Sequence, residues 1–125
     1  MILDTNALSA FIDGDAAVGA RLAAESRAAL PVIVLGEFRY GISASRYRTR
    51  YEAWLDQHAR AFEILAVTEA TTLSYARVRV TLKQMGRPIP ANDVWIAALA
   101  LQHHLPVLSR DEHFDDIPGI RREDW

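Results

Sequence analysis

The 125-residue chain contains no cysteine. That excludes disulfides, thiolate metal ligands and cysteine nucleophiles, and it leaves little basis for a structural zinc site. Lysine is nearly absent as well. Thirteen of the fourteen basic residues are Arg, and Lys83 stands alone. No apolar stretch approaches the ~20 residues that cross a bilayer, and Met1-Ile2-Leu3-Asp4 has neither the basic nor the apolar region of a secretory leader. A soluble, cytoplasmic protein is therefore expected. There is no Gly/Ser/Pro-rich linker, internal repeat or low-complexity tract, so a single domain over residues 1–125 is expected.

Half of the residues are hydrophobic and 24% are charged, close to globular averages and far from the composition of disordered chains. The formal net charge of −2 conceals an uneven distribution. Residues 39 to 60 hold five Arg against Glu52 and Asp56, and residues 76 to 90 hold Arg77, Arg79, Lys83 and Arg87 with no acid. Arginine suits forked contact with phosphate, although solvated helix faces and a high-GC genome produce the same pattern.

Apolar runs alternate with amphipathic segments. Met1 to Leu3 reads as a strand, Asp4-Thr5-Asn6 as a capping turn, and Leu8, Phe11 and Ile12 as the inner face of a helix. A second helix is expected over Ala16 to Leu30, then a strand over Pro31 to Val34. Leu35, Phe38 and Ile42 predict a further helix, on which Glu37 lies about 200° from Leu35 and so off the apolar stripe. Arg46 to Arg60 reads as another helix and Phe62 to Val67 as a strand. Thr68 opens a long helix whose apolar face is Tyr75, Val78, Leu82 and Met85, ended by Gly86. Asn92 is the expected N-cap of a helix to about His104, apolar almost all round and hence central. Pro106 to Ser109 is the next strand, with a last one near Ile120-Arg121. Strands separated by helices predict an α/β fold, a three-layer α/β/α sandwich around a parallel sheet of about five strands. Ligands of such sheets bind at the carboxyl ends of the strands.

Four acids fall at those ends or at helix starts: Asp4 after the first strand, Glu37 after the second, Asp93 in the first turn of the buried helix and Asp111 after the fourth strand. Gathered together, four carboxylates repel in six pairs, each by about 3 kcal/mol at ~5 Å and an effective dielectric of ~20. The total exceeds the stability of a typical domain, so protonation or a cation must relieve it. With no Cys and few His, a hard divalent cation, Mg²⁺ or Mn²⁺, fits. Such a site attracts a phosphodiester, activates a water and stabilises the leaving oxygen. Taken singly, each acid also has an ordinary reading. Asp4 and Asp93 suit helix N-termini, Glu37 an exposed helix face and Asp111 a solvated acidic loop. His103 and His104 suit a helix C-terminus, whereas His113 falls near the acids.

Ile2-Leu3-Asp4-Thr5-Asn6, Leu35-Gly36-Glu37, Asn92-Asp93-Val94-Trp95-Ile96-Ala97-Ala98, and Leu108-Ser109-Arg110-Asp111 with Phe114 and Ile117-Pro118-Gly119-Ile120 behind it resemble the PIN-domain family in order and spacing. The short form resembles VapC toxins of type II toxin–antitoxin pairs. The resemblance implies Asp4, Glu37, Asp93 and Asp111 as a catalytic quartet, with Asp4 and Asp93 as the surest ligands of Mg²⁺ or Mn²⁺. It implies Thr5, Asn6, Asn92 and Ser109 as supports through hydrogen bonds or metal-bound water. It further implies a metal-dependent endoribonuclease, an RNA substrate, a homodimer, and a VapB-type antitoxin that blocks the groove. A housekeeping PIN nuclease and a catalytically silent binding module share the same motifs. Some family members carry one more acid two residues beyond the fourth; that position is His113 here, so one ion is expected. A receiver domain would need a Lys near its fifth strand, and Lys83 lies in a helix. A haloacid-dehalogenase-like phosphatase would need an acid at Asn6.

Overall fold

The computed structural model describes residues 1–125. Five short strands, β1 (Ile2–Leu3), β2 (Ala29–Pro31), β3 (Glu63–Leu65), β4 (Val107–Leu108) and β5 (Arg122–Glu123), form one sheet in the order β3-β2-β1-β4-β5. Every pairing is parallel. The chain steps outward from β1 to β3 and then returns to the other side of β1. Right-handed crossovers consequently place α1 (Thr5–Ile12), α2 (Ala16–Ala23), α3 (Val32–Ile42) and α4 (Arg48–His58) on one face. They place α5 (Glu69–Gln84) and α6 (Ala91–His103) on the other, giving the expected three-layer α/β/α sandwich. The strand order reverses between β1 and β4, where open α/β sheets leave their ligand crevice.

The core forms around the β1–β2–β4 centre of the sheet. Ile2, Leu3, Ala29, Leu30, Val107 and Leu108 are all fully buried, as expected of strands covered on both faces. Helix α6 lies against them with Val94 and Ile96 to Ala100 buried. No helix is long and apolar enough to cross a membrane.

Several boundaries differ from the sequence reading. Helix α2 stops at Ala23, and the strand is Ala29–Pro31 rather than Pro31 to Val34. Pro31 is the N-cap of α3 and not the start of a strand; Val32, Ile33 and Val34 begin that helix despite their β-branched side chains. A proline is tolerated there because the first helical N–H groups have no intrahelical acceptor. The buried stripe of α3 becomes Val34, Phe38 and Ile42, and Glu37 sits in its second turn rather than directly after a strand. Pro90, not Asn92, caps α6. Met85 is the C-cap of α5 and 45% exposed, so only Val78 and Leu82 of the expected face are fully buried. Helix α4 is Arg48–His58, followed by a 3₁₀ turn at Ala59–Ala61. The last strand lies at Arg122–Glu123, beyond Ile120-Arg121, and its charged residues suit an edge.

Candidate metal and active site

The switch point places Asp4 and Asp111 side by side, because β1 pairs with β4 and the Asp4 N–H donates to Leu108 O at 3.3 Å. Asp4 is 4% exposed, and each oxygen of its carboxylate accepts one hydrogen bond. Oδ1 accepts the Ala7 N–H at 2.7 Å, capping α1, and Oδ2 accepts the Ser109 hydroxyl. The Ser109 oxygen in turn accepts the Asp111 N–H at 2.9 Å, so one buried hydroxyl ties two acids and two strands together. Burial raises the pKa of Asp4. The Ser109 and Ala7 hydrogen bonds oppose that rise, and the charge of Asp111 adds to it.

Glu37 approaches from α3. Thr5, the first residue of α1, donates its hydroxyl to Glu37 Oε2 at 3.0 Å. The other oxygen, Oε1, is shielded from solvent and has no hydrogen-bond partner. Asp93, in the first turn of α6, is mostly buried, and its pKa is pushed up to about 6. Desolvation is the main cause, followed by the charges of Asp111 and Glu37, with His113 acting the other way. Such a shift, set first by burial and then by neighbouring carboxylates, is a feature of functional sites.

Asp111 caps a 3₁₀ turn at Glu112–Asp116, its Oδ1 accepting the His113 N–H at 2.9 Å. That turn swings the imidazole back over the acids. His113 Nδ1 lies 3.1 Å from Asp111 Oδ1 and 3.7 Å from Asp93 Oδ2. One donor atom from each of Asp93, Asp111 and His113 falls within 4.8 Å of the others, close enough to share one ion.

All four predicted acids thus act on one another at a single end of the sheet, but they are not equivalent. Asp93 and Asp111 form the tight set with His113. Glu37 reaches Asp93 and Asp4 reaches Asp111 through charge. The orphaned Glu37 oxygen, the raised Asp93 carboxyl and a donor set of carboxylates with one imidazole fit a divalent cation. Thr5 and Ser109 hold site carboxylates directly. Asn6 contributes its backbone to Asp4 while its side chain is exposed, and exposed Asn92 borders a surface hollow with Glu37.

Sequence reasoning did not single out the neighbouring cavity of about 280 Å³, which runs from Thr5 and Glu37 past Ser9 and Gly41 to Tyr51. Tyr51 donates its hydroxyl to Asp13 at 2.9 Å, 38 positions away in sequence. Only Ser9, one turn after Thr5 on α1, carried a local signal. The basic helices are partly committed elsewhere: Arg48 pairs with Glu52, Arg87 with Asp116, and the Arg79 guanidinium donates to the Tyr75 hydroxyl.

Comparison with known proteins agrees with this geometry. The family model described as PIN domain matches residues 1–120. The chain is 35% identical to Ribonuclease VapC5 of Mycobacterium tuberculosis over 96 residues, 74% of this chain and 70% of that protein. It is 31% identical over 101 residues to the tRNA(fMet)-specific endonuclease VapC of Salmonella typhimurium, 80% of this chain and 76% of that one. Among solved structures, VapBC2 from Rickettsia felis bound to a promoter DNA fragment superposes with a TM-score of 0.87 at 29% identity, covering 99% of this chain and 97% of that one. The chain belongs to the PIN-domain family, within its VapC-type ribonucleases.

Proposed function

We propose that residues 1–125 form a single PIN domain that hydrolyses RNA phosphodiester bonds as the toxin of a toxin–antitoxin pair. Catalysis takes place at an acidic site holding Mg²⁺ or Mn²⁺. The observation that carries this reading is the convergence of Asp4, Glu37, Asp93 and Asp111 at the β1/β4 switch point with an unmet demand for positive charge.

A divalent ion bound there supplies the charge that draws in the phosphate and the Lewis acidity that eases ionisation of a water. The protein's part is to hold that ion and keep its ligands still. Asp93 and Asp4 are the proposed principal ligands; Asp4 keeps acceptor capacity because each carboxylate oxygen has two lone pairs, of which Ser109 and Ala7 each use one. Ser109 fixes the Asp4–Asp111 spacing, and Thr5 holds one oxygen of Glu37, leaving the other shielded and without a partner. Asn6 and Asn92, exposed at the rim, are placed to meet solvent or substrate.

RNA enters as substrate from the basic helix faces, where exposed Arg39, Arg60 and Arg77 are placed to meet phosphates and Arg46 and Arg50 lie against the rings of Tyr47 and Tyr51. The solved relatives are complexes with VapB-type partners, and the same class of antitoxin is the proposed regulator of this chain, acting on a homodimer in the cytoplasm.

Purified protein freed of antitoxin, incubated with total RNA, is expected to give discrete fragments with Mg²⁺ or Mn²⁺ and none in EDTA. Asp93→Asn is expected to lower cleavage at least ~100-fold, by analogy with the loss of other preorganised charge-stabilising groups. Wild-type protein that is folded, binds metal and leaves RNA intact would instead identify a silent binding module.

A further inference from the structure

The family reading gives His113 no role, yet its ring occupies the most telling place in the site. It projects from the 3₁₀ turn that Asp111 caps, and its backbone N–H is held by the same Asp111 Oδ1 that its Nδ1 faces at 3.1 Å. The side chain is thereby doubly located, by its own main chain and by the acid beside it. Nδ1 also faces Asp93 Oδ2 at 3.7 Å from the opposite side, across the sheet edge, from a different helix. The ring is half exposed, so packing does not force it into this position.

Ligand atoms that share one octahedral ion at about 2.0 to 2.2 Å lie roughly 3 Å apart when adjacent and a little over 4 Å when opposed. The three donor atoms here, all within 4.8 Å of one another, come close to that spacing. A neutral imidazole offers a ring lone pair, and a nitrogen donor distinguishes between ions that oxygen donors treat alike. Mg²⁺ prefers oxygen and keeps its waters, whereas affinity of nitrogen-containing sites climbs along the first-row series that begins with Mn²⁺.

We propose that His113 is a further protein ligand of the divalent ion, grouped with Asp93 and Asp111, and that its imidazole nitrogen biases the site toward Mn²⁺ over Mg²⁺. The inference rests on the acidic cluster being the metal site. It adds to that reading a ligand and an ion preference set by one residue of this chain. A His at this position exchanges a negative charge for selectivity, and it lets a site with fewer carboxylates hold a single ion.

The test is spectroscopic. The full chain, stripped with EDTA and free of antitoxin, is titrated with Mn²⁺ by electron paramagnetic resonance, and the bound ion is examined for nitrogen coupling by spin-echo envelope modulation. Wild type is expected to bind Mn²⁺ with the ¹⁴N signature of a coordinated imidazole. His113→Gln is expected to lose that signature and about tenfold in Mn²⁺ affinity. Displacement of Mn²⁺ by Mg²⁺ should then become easier, with the EDTA-form melting temperature little changed. His113→Asp is expected to bind an ion without nitrogen coupling and to shift preference toward Mg²⁺. Bound Mn²⁺ without ¹⁴N coupling in wild type, or coupling that survives in His113→Gln, overturns the role of His113 and leaves the nuclease reading intact. No Mn²⁺ binding at all overturns both.

Discussion

Asp4 and Asp93 are both mostly buried carboxylates at the same end of the sheet, and they are held in opposite ways. Asp4 receives a backbone N–H, a serine hydroxyl and the start of a helix, so the fold itself depends on it. Asp93 has no such donors, and its principal neighbours are the charges of Asp111, Glu37 and His113. Asp4 is held by donors from the fold, although burial still raises its pKa; Asp93 is held among charges, most of them of its own sign. A binding site needs both, a fixed frame and a deficit, and the contrast predicts that removing the carboxylate charge at the two positions has opposite effects on stability.

Asp4→Ala removes the cap of α1 and the link between β1 and β4, and is expected to destabilise the protein by about 2 kcal/mol while abolishing RNA cleavage. Asp93→Asn is expected to abolish cleavage too, yet to raise the melting temperature of the EDTA-treated protein, since it removes a charge that its surroundings disfavour. Thermal melts of both variants in EDTA decide the matter. Loss of stability in both would mean that Asp93 is as much a structural residue as Asp4.

The gain from Asp93→Asn must also depend on pH. Because the folded pKa of Asp93, about 6, lies above its ordinary value of 3.8, the native state binds a proton more tightly than the unfolded chain. The stability this group contributes is therefore present at low pH and lost as pH rises through about 6, at most about 3 kcal/mol in all. The stability difference between variant and wild type in EDTA should shrink as pH is lowered from 7.5 toward 4.5. Adding metal reverses the slope, because the ion competes with that proton and binds more weakly below pH 6. A difference that stays flat across this range would show that Asp93 titrates as an ordinary carboxyl.

What the sequence disclosed divides along the same line. The framework was legible, because Met1 to Leu3 and Pro106 to Ser109 are apolar runs that end at acids, and α6 is apolar on every side. The second strand was misplaced. Ala29-Leu30 carries no β-branched residue, Val32-Ile33-Val34 carries three, and only pairing with both β1 and β3 overrides that preference. Asp4, Asp93 and Asp111 do stand after strands or at a helix start, whereas Glu37, expected directly after a strand, lies in the second turn of α3, and the difference between the acids was not legible. That difference lies in the Ser109 bridge and the Thr5–Glu37 hydrogen bond, which span 105 and 32 positions. His113 was placed near the acids but not over them, since the turn capped by Asp111 is what aims it.

The smallest effect is expected far from the site, at the other end of α6, where strain has no chemistry to serve. His104 terminates the helix in the left-handed conformation at φ 54°, the only residue besides glycine with positive φ. An L side chain there crowds the following carbonyl, at a cost of about 1 kcal/mol. Gly86 and Gly119 occupy comparable conformations without that cost, at φ 65° and 86°. His104→Gly is therefore expected to stabilise the protein by up to about 1 kcal/mol, set against the greater freedom of glycine in the unfolded chain. Cleavage, metal affinity and their pH dependence should stay unchanged. A rise in melting temperature with identical Mn²⁺ binding would place this end of α6 outside the machinery. A fall would show that the imidazole's interaction with the helix carbonyls, together with the greater freedom of glycine in the unfolded chain, outweighs the strain of the backbone.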